Sequence, residues 1–182
     1  MFTRTTVVFG LALVLGAGVA RAQSGQTTLG GSVARTAHFT SLVATHDDLA
    51  VRFRRLAQAA INSHSTTIER QALGRFIQSD IVPRLKVESV ALYTAFDSIV
   101  GGGYAVPATL FDLDAIAFLV KEVDRTATGD RAEFAARVYA LSAALESYFT
   151  KTQLLVLPVL EERLNAAGVN AVLARLEGRN TP

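Results

Sequence analysis

The sequence predicts an all-α, up-down-up-down four-helix bundle followed by a short fifth helix near the C-terminus. Four long stretches space their apolar residues three and four positions apart, as one buried helix face requires. Capping residues or glycines mark most of the boundaries of those stretches. No run alternates apolar and polar residues between hairpin turns, so nothing calls for a sheet.

The first helix carries Phe39, Leu42, Val43, His46, Leu49, Ala50, Phe53, Leu56, Ala57 and Ala60 on one face, which puts His46 among apolar neighbours. Asn62 to Ser65 is a polar break. Thr66 with Glu69 then forms a capping-box pattern that starts the second helix. Its buried line is Leu73, Ile77, Ile81, Arg84, Glu88, Leu92 and Ala95, so two charged residues occupy core positions. Pro83 removes one backbone hydrogen bond and predicts a kink just before Arg84. Gly101, Gly102 and Gly103 end this helix, and Pro107-Ala108-Thr109 with Asp112 offers a cap for the third, which carries Leu113, Ile116, Val120 and Val123. The fourth helix starts at Asp130, with Glu133 in the reciprocal position, and shows Phe134, Val138, Leu141, Leu145, Tyr148, Thr152, Leu155 and Val159. Gly168 and Asn170 introduce a short helix from Ala171 to Glu177, with Gly178 as its C-cap.

The N-terminus predicts export. Arg4 precedes an apolar run from Val7 to Ala20, and Ala20-Arg21-Ala22 has the small-x-small pattern of a signal-peptidase site. Residues 1–22 read as a signal peptide, with a mature form from Gln23 that is periplasmic or secreted. The run is shorter than the roughly 20 residues of a membrane-spanning helix, which makes an uncleaved anchor the second reading. Residues 23–35 are rich in Gly, Ser, Thr and Gln and read as a flexible leader. Residues 36–167 form the bundle domain and 168–182 the terminal helix and tail.

Loss of Arg4 and Arg21 leaves 16 basic against 16 acidic side chains. The basic excess behind the pI of 9.2 therefore belongs to the segment that is removed, which argues against a nucleic-acid partner and against a membrane partner after cleavage. The chain has no cysteine, which excludes disulfides, thiolate metal sites, a cysteine nucleophile and a lipidated cysteine. No nucleophile–base–orienter set or zinc spacing appears. Gly101 to Gly103 lacks the following Lys and Ser/Thr of a phosphate-binding loop. These exclusions point away from an enzyme.

The two halves of the chain repeat a pattern: a helix with a polar residue near its start, then a helix with polar core residues four apart. His46 and Leu113 are 67 positions apart, while Arg84 and Tyr148, and Glu88 and Thr152, are 64 apart. Such pseudo-symmetry suits a bundle that encloses a central two-metal site. Thr45-His46-Asp47-Asp48-Leu49, Val82-Pro83-Arg84-Leu85-Lys86-Val87-Glu88, Asp112-Leu113-Asp114-Ala115-Ile116 and Tyr148-Phe149-Thr150-Lys151-Thr152 together resemble the haemerythrin-like HHE family over roughly residues 37 to 165. That family's pattern is one His on the first helix of each half and His-x-x-x-Glu on the second, around a pair of irons used in oxygen carriage, sensing or iron handling.

The resemblance implies six ligand positions, of which His46 and Glu88 keep a ligating residue while Arg84, Leu113, Tyr148 and Thr152 replace the others. Leucine cannot ligate, and arginine stays protonated. The resemblance therefore implies a degenerate member with no cofactor, acting as a binding or structural module whose partner and oligomeric state the sequence does not name. The alternative retains one iron or zinc on His46 and Glu88, with Asp112 or Asp114 as substitute carboxylates and an oxygen or redox role.

Arg84 and Glu88 meet at i and i+4 on a buried face, where a charge must be paired. They are expected to form a buried polar cluster with His46 and Tyr148. The competing reading lets Arg84 snorkel to solvent, leaves His46 as a core histidine and makes Tyr148 filler. His38 and His64 are expected at the surface.

Overall fold

A computed structural model describes residues 37–62, 66–127 and 129–178, and every regular element among them is helical. The predicted export segment, the leader and His64 lie outside the described residues. The elements are α1 (Thr40–Asn62), α2 (Thr66–Phe76), α3 (Val82–Val100), α4 (Ala105–Arg125), α5 (Arg131–Lys151), α6 (Leu157–Arg163) and α7 (Ala166–Leu176). Wide π turns over Ile77–Ile81 and Thr152–Val156 join α2 to α3 and α5 to α6. No helix among the described residues is long and apolar enough to cross a membrane.

The core forms where the apolar faces meet. α1 packs on α2 and α5, α4 packs on α3 and α5, and α7 covers part of α3. Leu42, Leu49 and Phe53 of α1 are buried against a cluster that includes Leu85 and Leu92 of α3, Ile116 and Val120 of α4, and Leu141 and Leu145 of α5. Val169, Val172 and Leu176 give α7 its own buried face, which explains why a helix of eleven residues persists.

Both π turns precede a proline, and the symmetry has a steric cause. A proline ring inside an α-helix collides with the carbonyl four residues back and supplies no N–H. The widened turn, in which the N–H of Val82 reaches the carbonyl of Ile77 and that of Leu157 reaches Thr152, absorbs both defects. Each therefore acts as a one-residue insertion, and the expected kink at Pro83 appears as this turn.

The insertions shift the buried lines predicted from a strict α-helical period. Beyond Thr152 the core positions are Val156, Leu157 and Leu160, while Leu155 is exposed and Val159 half-buried. In α3, Leu85 takes the fully buried position next to Arg84.

Two helix starts also differ from expectation. α4 begins at Ala105, and Thr109 is a buried residue inside it rather than part of a cap. The free N–H groups of Ala105 and Val106 instead donate to the two carboxylate oxygens of Asp97, at 2.8 and 2.9 Å, across the glycine loop. α7 begins five residues early, because the Asn165 side chain accepts from the Gly168 N–H at 2.9 Å and so caps it. The α5 start is as read: the Asp130 carboxylate accepts from the Glu133 N–H at 2.9 Å.

Candidate functional site

A helix interior offers few ways to accommodate a charged residue, and here three polar side chains solve the problem together. Glu88 sits on the buried face of α3 with no solvent exposure, and its two oxygens have different partners. The Arg84 Nε–H, one turn earlier, donates to Oε1 at 2.6 Å. His46 on α1, also fully buried, lies 2.9 Å from Oε2 through Nε2. A carboxylate can only accept, so Nε2 is the donor of this hydrogen bond. The other ring nitrogen, Nδ1, is buried and has no hydrogen-bond partner among the described residues. The imidazole is held flat by the Phe149 ring, 4.5 Å away between centroids.

A layer of hydroxyls continues this centre. Thr152, the first residue of the second π turn, donates through Oγ1 to the Tyr148 carbonyl at 2.9 Å. Its proton is thereby committed, so the Tyr93 hydroxyl, 3.0 Å away, donates to it. Thr109 of α4 lies beside Tyr93, and Thr152 beside Tyr148. Among the described residues the hydroxyls of Thr109 and Tyr148 are buried without a well-formed hydrogen bond. Burial raises both phenols above the usual tyrosine range; Glu88 adds to the effect at Tyr148, while the Thr152 hydrogen bond moderates it at Tyr93.

The four residues expected to form one cluster therefore separate into a bonded set and a neighbour. Arg84, Glu88 and His46 are linked by hydrogen bonds, and Tyr148 lies buried next to them without a hydrogen bond to any of the three. The Arg84 side chain keeps 27 % exposure while pairing, so it combines the two alternatives, salt bridge and snorkel. Leu113 is half-buried against the core, Asp112 pairs with Lys151, and Asp114 points to solvent. His38 is exposed and bonds Glu161 at 2.5 Å. Tyr93 and Thr109 were missed as site residues; Thr109 shares the α4 line of Ile116, Val120 and Val123, a signal masked by its resemblance to a cap.

No family model, curated protein or solved structure matches the chain. The family question therefore rests on the residues themselves. A di-iron centre needs several imidazole and carboxylate ligands directed at one point. Here the central carboxylate of Glu88 is already engaged by a guanidinium and an imidazole N–H; of the other candidates, Asp112 is half-buried and paired with Lys151 and Asp114 is exposed. Among the described residues no group of three or more His, Asp and Glu side chains is placed to share an ion. A fixed cation 2.6 Å from Glu88 would also repel a metal placed beside that carboxylate. The donor set does not fit a pair of irons.

A second feature is a groove of about 480 Å³ beside α2, lined by Arg70, Gln71, Arg75, Gln78 and Phe134. Arg70 has structural work there: it stacks over Phe134 at 3.7 Å and donates to the carbonyls of Thr126 and Ala127 beyond the end of α4.

Proposed function

We propose that the chain is an exported, haemerythrin-like, up-down-up-down four-helix bundle with a short fifth helix, working outside the cytoplasm as a non-enzymatic binding or structural module in place of a di-iron protein. The observation that supports this reading is the state of Glu88, whose two oxygens are taken by Arg84 and His46. In this reading the guanidinium supplies the positive charge that iron supplies in the family, and the central site becomes a fixed polar link between α1 and α3. Such a link favours one register of the two helices over slipped alternatives, because any slip strands the carboxylate in an apolar core.

The test is metal analysis of protein purified after expression in iron-rich medium. Well below one iron per chain, with no oxo-iron absorption, is the expected result. Near-stoichiometric pairs of iron would overturn the proposal, and one tightly held iron or zinc would return the reduced-site alternative.

A further inference from the structure

The α4 surface opposite the core is unusually apolar. Tyr104, Phe111 and Phe118 are 80, 76 and 60 % exposed and stand seven residues apart. Seven residues of α-helix return to within about 20° of the starting direction, so the three rings form one seam. The exposed Ala108 and Ala115 occupy the gaps between them. Rings at heptad spacing separated by small residues match the knobs and holes of a helix-to-helix contact.

We infer that this face binds the same face of a second copy of the chain, antiparallel, with Phe118 on the twofold axis. Charge decides both occupant and register. Two other acidic residues of α4 are satisfied within the chain, Asp112 by Lys151 and Glu122 by Arg137 and Arg125. Asp114 and Lys121, exposed on the seam side, have no ion-pair partner among the described residues. From Phe118, Asp114 lies four residues back and Lys121 three forward, about 6 and 4.5 Å along the axis. Both project from the same flank of the seam. An antiparallel twofold at Phe118 therefore sets Asp114 against the partner's Lys121 twice, offset by only about 1.5 Å along the axis. It also brings Phe111 opposite the partner's Arg125, each seven residues from the axis, as a ring-to-guanidinium contact that the exposed Arg125 can add to its ion pair with Glu122. A parallel pair would place the two copies of this flank on opposite sides of the seam, so Asp114 and Lys121 would not meet each other across it. A bilayer would have to take Asp114 into its apolar region, between the two phenylalanines. A self-complementary, isologous contact is the arrangement that uses every one of these groups.

Sedimentation equilibrium of the full chain at micromolar concentration tests the inference. Wild type should be dimeric, and Phe118→Glu monomeric with an unchanged helical circular-dichroism spectrum. Lys121→Glu should raise the dimer Kd about tenfold or more, and Asp114→Lys added to Lys121→Glu should restore it. A monomeric wild type would overturn the proposal, as would a dimer indifferent to both single variants or a failure of the double reversal to rescue. Stripe-dependent binding to phosphatidylcholine–phosphatidylglycerol vesicles by a monomer would overturn it in favour of a membrane surface.

Discussion

Glu88 has two oxygens and two partners, and the energetics of the centre follow from that pairing. Arg84→Ala removes one partner and leaves the carboxylate fully buried with only His46. Breaking a buried pair in this way costs on the order of 3–5 kcal/mol, and the partial exposure of Arg84 sets the expectation near the lower figure. Arg84→Met combined with Glu88→Leu should be much milder, because both charges leave together and apolar volume replaces them. Urea denaturation of the three proteins measures this. A cost below about 0.5 kcal/mol for Arg84→Ala, the range of an ordinary surface substitution, would show that the pair contributes nothing. His46, Arg84 and Glu88 were legible as site residues because each interrupts an apolar line. Tyr93 and Thr109 were less legible, since a hydroxyl on a buried face reads equally well as filler or cap until its neighbours are known.

At the scale of elements, two devices shape the helices that hold the centre. The first is the pair of π turns before Pro83 and Pro158, one of which delivers Thr152 to the Tyr93 hydroxyl. The second is the turn between α3 and α4. Gly101, Gly102 and Gly103 have φ of 75, 87 and 64°, where side chains other than glycine are strained, and a Cβ on Gly102 would lie 2.8 Å from the Tyr104 ring. This turn carries the chain back so that Asp97, on the last turn of α3, accepts from the first two N–H groups of α4. Asp97→Ala should lower stability by about 1–2 kcal/mol, the loss of a helix-capping carboxylate. A shift in the urea midpoint with unchanged slope is the expected signature, and an unchanged midpoint would show that water caps α4 equally well.

For the whole molecule, the buried phenols predict how stability responds to alkali. Tyr93 and Tyr148 both hold their protons more tightly when folded than when unfolded, where a phenol titrates near 10. Their contribution is complete below about pH 10 and is lost as pH rises further, because the unfolded chain releases protons that the folded chain retains. Between its unfolded and folded values a phenol lowers stability by about 1.4 kcal/mol per pH unit. Lys151 works in the opposite sense, since burial lowers its pKa, but it is one group against two. Urea midpoints should fall as the pH rises from about 10 to 11.5. Absorbance at 295 nm should show two of the four tyrosines ionising only with unfolding. Tyr148→Phe should remove one share of the slope, and a flat profile would contradict the burial argument.

The sequence by itself determined that the described chain is helical, where its long helices run to within a few residues, and that charged and imidazole groups would enter the core. Those properties depend on local periodicity and on the types of residue that break it. Only the tertiary structure decided that Leu155 faces solvent while Val156 and Leu160 are buried, because a π turn adds one residue that a fixed period cannot register. It also decided that Asp97 caps a helix eight residues away and that Glu88 divides its oxygens between α1 and α3. Hydrogen bonds between separate helices depend on their packed separation and rotation, and neither quantity is written in the spacing of any one helix.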